Sequence, residues 1–283
     1  MINLPRLPLV EWIDAGEVWL KQNAQWFFEP IKNTLSTFVD TLSDGLMLIP
    51  PLIFIILVVA LTIYVTRKNW TLSIFVGLGL LLIQNLGLWD DTMLTLSLIL
   101  ASSIISIIVG VPLGIWMAKS KTVQYIVTPI LDFMQTMPAF VYLIPAVSFF
   151  GIGMVPGIIA SIIFSMPPVV RLTNLGIRQV PEELIEASDA FGSTSFQKLF
   201  RVQLPLAAST IMTGINQTIM LALSMVVIAS MIGASGLGER VFGAVTRNQA
   251  GEGFASGISI VILAIILDRI TQALNKRNGA NVE

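Results

Sequence analysis

Seven long apolar runs constrain the fold of this chain more than any other feature of its sequence. A helix of about 20 apolar residues crosses a bilayer core about 30 Å thick, and each run approaches that length. Only 12% of the residues are charged, compared with roughly 25% in a soluble domain. We therefore predict an all-α polytopic membrane helix bundle with transmembrane helices at Leu46–Val65, Trp70–Leu88, Thr92–Ala118, Thr128–Phe150, Val155–Leu172, Leu206–Ile232 and Ala255–Leu274.

Prolines and small residues within these runs bear on helix packing. Pro138, Pro145, Pro167 and Pro168 interrupt the fourth and fifth runs, and membrane helices tolerate proline where neighbours satisfy the freed carbonyls. Small residues recur at every fourth position of the third and fifth runs, a spacing that lets helix backbones approach closely in lipid. We expect helix packing, with no substrate contact, from Ser102, Ser106, Gly110, Gly114, Gly153, Gly157, Ser161 and Ser165.

The apolar runs divide the chain into three parts. Residues 46–274 form the predicted transmembrane domain, with a long polar loop at 173–205, and residues 275–283 form a short tail. Residues 1–45 carry Trp12, Trp19 and Trp26 among charged residues, a pattern typical of an amphipathic helix on a membrane face. The alternative for this first part is a second packing helix that braces the bundle.

Lysine and arginine in the short connections predict the orientation of the chain. Basic residues are enriched in cytoplasmic loops, and here they follow the first, third, fifth and seventh runs. Asp90 and Asp91 lie on the opposite side, whereas Arg240 and Arg247 lie there beside acidic residues. We predict an external N-terminus and a cytoplasmic C-terminus from Arg67, Lys68, Lys119, Lys121, Arg171, Arg178, Lys198, Arg201, Lys276 and Arg277.

The composition excludes several classes of enzyme and partner. The chain has no cysteine and no histidine, which excludes disulfides, zinc sites built on these residues, cysteine nucleophiles and Ser-His-Asp triads. Its net charge of −1 provides no basic field for nucleic acid. We therefore predict no catalytic residue and no metal ligand, and we expect that the protein is not an enzyme.

The distribution of charge also bears on how transport would be driven. Ion-coupled secondary carriers usually place ionisable groups within their spans, but here Asp132, Arg171, Asp268 and Arg269 fall near predicted cytoplasmic ends. A carrier whose sodium sites are built only from carbonyl oxygens stays possible, and so does a protein that serves only as a structural membrane scaffold. The phosphate-binding pattern G-x-x-x-x-G-K-[ST] is not matched, because Ala118 precedes Lys119. ATP, if it drives this protein, would bind to another chain.

The polar loop at 173–205 has the pattern of two short helices joined by a glycine. Pro181 suits a first helical turn, and Leu184, Ala187, Ser188 and Phe191 follow at the spacing of one helix face. Gly192 is the expected left-handed residue at the helix end. Thr194 and Gln197 fit a capping box for a second helix to about Gln203, after which Leu204-Pro205 is predicted to turn the chain back into the membrane. The hairpin either rests on the headgroups or binds a cytoplasmic partner.

The loop resembles a known family signature. Glu186-Ala187-Ser188, three residues, Gly192, nine residues and then Val202-Gln203-Leu204-Pro205 are similar to the E-A-A-x3-G-x9-I-x-L-P motif of bacterial ABC importer permeases, with Ser188 and Val202 as departures. From about Pro50 to Leu274 the chain resembles permeases of the glycine betaine/proline betaine family. The runs that carry this likeness are 132–157, 164–181 and 215–238.

The resemblance implies the type I ABC importer permease fold and a multi-pass subunit in a bacterial plasma membrane. It implies a second copy of this chain, two cytoplasmic ATP-binding subunits that bind ATP and Mg, and a separate external substrate-binding protein. The chain itself would hold no cofactor. The residues implied to couple the permease to the ATPase are Glu186, Ala187, Ser188, Phe191, Gly192, Leu204 and Pro205.

The implied substrate is glycine betaine or a related quaternary ammonium osmoprotectant. Another small solute, such as choline, carnitine or an amino acid derivative, is the alternative within this class, and an ion-coupled carrier is the alternative outside it. Cation–π attraction selects quaternary ammonium groups, but the family places its aromatic cage in the binding protein. Candidates for the translocation path are Phe133, Phe140, Tyr142, Phe149, Asn216 and Gln217, although ordinary packing and interhelical hydrogen bonds explain each of them better when it is taken individually.

Overall fold

The computed structural model describes residues 8–66 and 69–279, without the side chains of residues 276–279. Arg67 and Lys68, used above for orientation, lie outside it, as do the side chains of Lys276 and Arg277. The regular secondary structure of the described part is entirely helical. Its helices are α1 Leu9–Asn23, α2 Gln25–Met47, α3 Pro51–Val65, α4 Trp70–Asn85, α5 Trp89–Lys119, α6 Lys121–Thr136, α7 Ala139–Phe150, α8 Met154–Arg178, α9 Glu182–Ala190, α10 Ser195–Lys198, α11 Leu204–Ser230, α12 Leu237–Thr246 and α13 Ala250–Gly279.

Four uninterrupted helical stretches are long and apolar enough to cross a membrane: α5, α8, α10 through α11, and α13. Two further spans result if each bent pair counts as one, with a bend of 96° between α2 and α3 and of 100° between α6 and α7. The 16-residue α4 is apolar but shorter. Helices long and apolar enough to cross a membrane are therefore present at the third, fifth, sixth and seventh predicted positions.

The fourth predicted span, Thr128–Phe150, is not one helix. It divides at Met137 and Pro138, both of which have extended backbone conformations. The physical reason is that proline disfavours the helical conformation of the residue before it and has no N–H to continue the hydrogen-bond ladder. The first predicted span is similarly shortened, because α3 begins at Pro51, whereas Leu46 still belongs to α2.

The centre of the bundle is formed by α5, α8 and α11, which contact one another through small residues. A β-carbon added to Gly114 would lie 2.6 Å from the carbonyl oxygen of Val170, and one added to Gly157 would lie 2.9 Å from Cβ of Ala229. The hydroxyls of Ser106 and Ser165 meet across the α5–α8 contact at 3.3 Å. The close helix packing predicted from the small-residue spacing is thus confirmed within α5 and α8. It is not found at Gly153, which precedes α8 and where an added β-carbon would meet no atom within 4 Å.

The N-terminal part contains two helices with different environments. In α1 no residue is buried, and Trp12 and Trp19 are about 60% exposed. In α2, by contrast, Val39 is 2% exposed and belongs to the central apolar cluster with Ile99 of α5. The two alternatives for residues 1–45 therefore apply to different helices, since α1 is the exposed amphipathic helix and α2 braces the bundle.

Candidate functional site

The polar loop forms a hairpin, defined here as residues 182–203, whose first leg is α9. Pro181 is the residue just before the helix rather than in its first turn, and its carbonyl accepts a hydrogen bond from the Leu184 N–H at 3.2 Å. Leu184 and Ala187 are exposed as expected, but Ser188 is buried. The four residues predicted to share one helix face therefore do not share one environment. The buried Ser188 hydroxyl donates a hydrogen bond to the Ile185 carbonyl at 2.8 Å.

Gly192 ends this leg in the left-handed conformation that the sequence predicts, with φ +73°. Its N–H donates to the Asp189 carbonyl at 2.9 Å, and the Ser193 N–H donates to the Ser188 carbonyl at 3.1 Å. These two bonds define a Schellman motif, which satisfies carbonyls that the helix end would otherwise leave free.

The second leg begins at Thr194 with the predicted capping box. The Gln197 N–H donates to Thr194 Oγ1 at 3.3 Å, and the Thr194 N–H donates to Gln197 Oε1 at 2.9 Å. Lys198 then forms an ion pair with Asp189 of the first leg at 2.5 Å. The hairpin is thus held closed by its own cap and by a charge pair between its legs.

The prediction that Leu204-Pro205 turns the chain is wrong. After α10, a π-helical segment at Leu199–Gln203 leads directly into α11, so residues 195–230 form one helical stretch. Pro205 lies at the start of α11, where the missing N–H of proline costs no helical hydrogen bond. Leu199 of the π-helical segment is buried with Ile177 and Ala207, which fixes the base of the hairpin to the bundle.

The outer surface of the hairpin carries three exposed phenylalanine rings. Phe191 is 91% exposed, Phe196 68% and Phe200 50%, and the centroids of the Phe196 and Phe200 rings are 4.4 Å apart. Grouped exposed apolar side chains are typical of interaction surfaces, and Phe196 and Phe200 form such a pair. Sequence reasoning named Phe191 only; the four-residue spacing of Phe196 and Phe200 is the signal that could have found the other two.

The structure places the remaining predicted coupling residues around this surface without bringing them all together. Glu186 and Ala187 are exposed on α9, close to Phe191 in sequence. Leu204 is half-buried and Pro205 exposed, both at the base of the hairpin. The motif thus spans two regions, an exposed outer part of the hairpin and a base fixed to the bundle.

The predicted aromatic residues of the translocation path lie on both sides of the α6–α7 break. Phe133 and Phe140 are 62% and 53% exposed. Tyr142 is buried, and its hydroxyl donates to the carbonyl oxygens of Met134 and Phe133 at the end of α6. In this position Tyr142 satisfies the Met134 carbonyl, to which Pro138 has no N–H to donate, whereas the Phe133 carbonyl also accepts from the Met137 N–H. Phe149 is half-buried and stacks on Phe28 with centroids 4.6 Å apart.

The two polar path candidates point in different directions from α11. Gln217 is exposed. Asn216 faces α13, where its Nδ2 donates to Asp268 Oδ1 at 3.1 Å and its Oδ1 accepts from the Thr271 hydroxyl. Gln272 Nε2 also donates to the Asp268 carboxylate, at 2.7 Å. Asn216 therefore takes part in an interhelical hydrogen-bond network.

A second polar cluster, which sequence reasoning did not assemble, lies at the other end of the bundle around α12. Arg240 forms ion pairs with Asp91 of α5 at 2.9 Å and with Glu252 of α13 at 3.7 Å. The start of α12 is hydrogen-bonded to α5, where the Leu237 N–H donates to Thr95 Oγ1 at 2.9 Å. The cluster lines a cavity of about 570 Å³. Arg240, an exception to the charge rule for loops, is thus neutralised by two carboxylates.

The architecture and the projecting hairpin define a multi-pass membrane permease with the type I ABC importer fold. A solved inward-facing structure of the MetNI methionine ABC transporter superposes with a TM-score of 0.63 at 20% identity, covering 68% of this chain and 95% of that one. At this identity the likeness concerns the fold alone.

Residues 110–279 match the family of the binding-protein-dependent transport system inner membrane component, and the chain belongs to this family. It is 62% identical to the glycine betaine/carnitine transport permease protein GbuB of Listeria monocytogenes, over 98% of this chain and 99% of the relative. It is 56% identical to the glycine betaine transport system permease protein OpuAB of Bacillus subtilis, over 96% of each chain.

Proposed function

We propose that this chain is the membrane-spanning subunit of an ATP-driven importer of glycine betaine or related quaternary ammonium osmoprotectants. The observation that supports the proposed substrate is the 62% identity to a glycine betaine/carnitine permease along nearly the whole of both chains. The name of that relative also makes carnitine the specific second candidate. As a transport subunit the chain performs no catalysis of its own.

The proposed complex contains two copies of this chain, two ATP-binding subunits and one external substrate-binding protein. ATP and Mg would bind to the ATP-binding subunits. The exposed Phe191, Phe196 and Phe200 rings support docking of the hairpin to these subunits, because a surface of this kind is stabilised when a partner removes it from water. ATP-driven closure of the partner pair would then rotate the two bundles as rigid bodies.

The proposed orientation places the hairpin and the C-terminus in the cytoplasm, and the N-terminus and α12 outside. Lys119, Lys121 and Arg178 support it, because they lie at helix termini at the hairpin end of the bundle, and Arg201 supports it because it lies in the hairpin itself. The predicted path aromatics and Gln217 stay candidates for the translocation path between two copies. The hydrogen bonds of Tyr142 and Asn216 support a packing role for these two residues.

Transport in a defined system tests the substrate. The chain would be purified with its ATP-binding subunit, reconstituted in proteoliposomes and supplied with the binding protein and internal ATP. We expect uptake of labelled glycine betaine that requires ATP and the binding protein. Competition by unlabelled carnitine and choline ranks the alternatives within the class. Uptake driven by an ion gradient without ATP would contradict the proposed energy source, and the absence of betaine-stimulated ATPase activity would contradict the substrate.

A further inference from the structure

The helix α6 is amphipathic, although it forms half of a candidate membrane span. With about 100° of rotation per residue, its polar side chains from residue 124 onward fall within about 120° of one side. This polar side of α6 consists of Gln124, Thr128, Asp132, Gln135 and Thr136. The other sides are apolar, since Leu131 is buried with Val169 of α8 and Ile126 and Ile130 are exposed. The polar side is therefore continuous along a helix that otherwise suits lipid and packing contacts.

Two arginines of α8 bond to this polar side. Arg171 Nη2 forms an ion pair with Asp132 Oδ1 at 2.6 Å, and Arg178 Nη1 donates to Gln124 Oε1. The fifth predicted run ended at Leu172, whereas α8 continues to Arg178. Arg171 therefore lies about 10 Å from the end of that candidate span. The ion pair is thus inside the span rather than at its edge.

The ion pair is exposed in the single chain, where the side chains of Arg171 and Asp132 are 40% and 58% exposed. Lipid does not fit this surface, because charged side chains within a membrane face water or a protein partner. The buried core of a protein interface is depleted of charged residues, so a second copy packed directly on this side does not fit either. A water-filled space is the environment that fits, and under the proposed function such a space is the translocation path between two copies.

Arg171 and Asp132 carry the two charges that complement a zwitterion. A guanidinium group binds a carboxylate through two parallel hydrogen bonds, whereas a quaternary ammonium group has no N–H and is attracted by a carboxylate or by an aromatic face. Tyr125, whose ring is 78% exposed, lies two turns before Asp132 and borders the same side. We propose that Asp132 and Arg171 form a zwitterion site in the translocation path, an inference that rests on the proposed function. Arg171 binds the carboxylate of the solute and Asp132 attracts its quaternary ammonium group.

Labelling of single cysteines tests whether the polar side of α6 faces water, because the chain has no native cysteine. In the permease assembled with its ATP-binding subunit in bilayers, Thr128→Cys on the polar side would be compared with Ile130→Cys on the exposed apolar side. A water-soluble methanethiosulfonate should label Thr128→Cys about tenfold faster or more, since apolar surroundings raise the pKa of a thiol and withhold its reactive thiolate. Labelling of Thr128→Cys no faster than that of Ile130→Cys would mean that lipid or protein covers the polar side, and would overturn the proposal.

Protection of Thr128→Cys by solutes tests the zwitterion site itself. Glycine betaine should slow the labelling at a lower concentration than choline, which has the quaternary ammonium group but no carboxylate. Arg171→Gln should raise the half-protecting concentration of glycine betaine about tenfold and leave that of choline unchanged. Arg171→Lys, which keeps the charge without the planar fork, should reduce the difference in part and serves if Arg171→Gln fails to insert. Equal changes for both solutes would mean that the ion pair only braces α6 on α8, and no protection by either would exclude a site; both results overturn the proposal.

The labelling requires neither ATP nor the binding protein, so its outcome is separate from that of the transport assay. Failure of the unmodified importer to take up glycine betaine would contradict the proposed function. Uptake by the unmodified importer, together with no protection of Thr128→Cys, would overturn the zwitterion site alone.

Discussion

Gly192 offers the sharpest test of the role of the hairpin in transport, because its substitution changes the conformational energy of the backbone without a steric clash. Its φ is +73°, and a β-carbon added there would meet no atom within 4 Å, so no clash contributes. The left-handed conformation costs an ordinary L-residue about 1–2 kcal/mol and a β-branched residue more, whereas asparagine adopts it readily. A cost of that size shifts the population of the closed hairpin about 5- to 30-fold.

The assay compares Gly192→Asn, Gly192→Ala and Gly192→Val in the reconstituted importer. We expect uptake close to that of the unmodified protein for asparagine, reduced uptake for alanine, and a loss of about tenfold or more for valine. Membrane insertion should be the same in all three, since Gly192 lies outside the candidate spans. If valine supports as much uptake as asparagine, or if insertion falls in parallel with uptake, the assigned role of the left-handed turn is wrong.

Three further substitutions have defined outcomes, each measured as a shift in the thermal unfolding midpoint of the purified permease. Tyr142→Phe should lower the free energy of unfolding by about 1–3 kcal/mol by leaving the Met134 carbonyl without a donor, whereas Tyr125→Phe at a 78% exposed ring should not. Equal shifts for the two variants would contradict this role of Tyr142. Gly114→Ala should lower the free energy of unfolding by about 1–3 kcal/mol, because the added methyl group overpacks against Val170. Gly16→Ala, where the added methyl group meets no atom within 4 Å, should cause no loss. Unchanged stability in Gly114→Ala would argue against the α5–α8 contact. Arg240→Gln should lower the free energy of unfolding by up to about 1 kcal/mol, and by less at high salt because the ion pairs are half-exposed. Arg247→Gln should leave it unchanged, since among the described residues Arg247 pairs with no carboxylate. A loss of stability in Arg240→Gln that does not depend on salt would exclude the ion pairs as its cause.

The hairpin illustrates which predictions local sequence supports. Gly192 and the Thr194–Gln197 capping box are confirmed because both depend on backbone conformation and hydrogen bonds within a few residues. The π-helical segment is different, since its register depends on where Leu199 packs. Its wider turns rotate Leu199 onto the side of Ala207, and both are buried against Ile177 of another helix. No pattern within 195–205 contains that contact.

The same distinction applies to the candidate path residues. Composition and proline content marked Thr128–Phe150 as an interrupted apolar run, but the 100° bend decides that Tyr142 satisfies the end of α6 and that Phe149 meets Phe28. Asn216 and Gln217 are neighbours with similar chemistry. Their different positions around α11 are the reason that Asn216 forms an interhelical hydrogen bond whereas the Gln217 amide is exposed.

The sequence alone indicated the class of this protein through the resemblance of its polar loop to a family signature. It also determined the apolar segments and the local turn chemistry of the hairpin, because hydropathy and short-range backbone energetics act within the reach of a few residues. The tertiary structure decided how Arg240 is neutralised and what α1 contacts. These outcomes arise from contacts between residues more than one hundred positions apart, such as Glu17 with Ser148 and Asp91 with Arg240, whose partners no periodicity in the chain identifies.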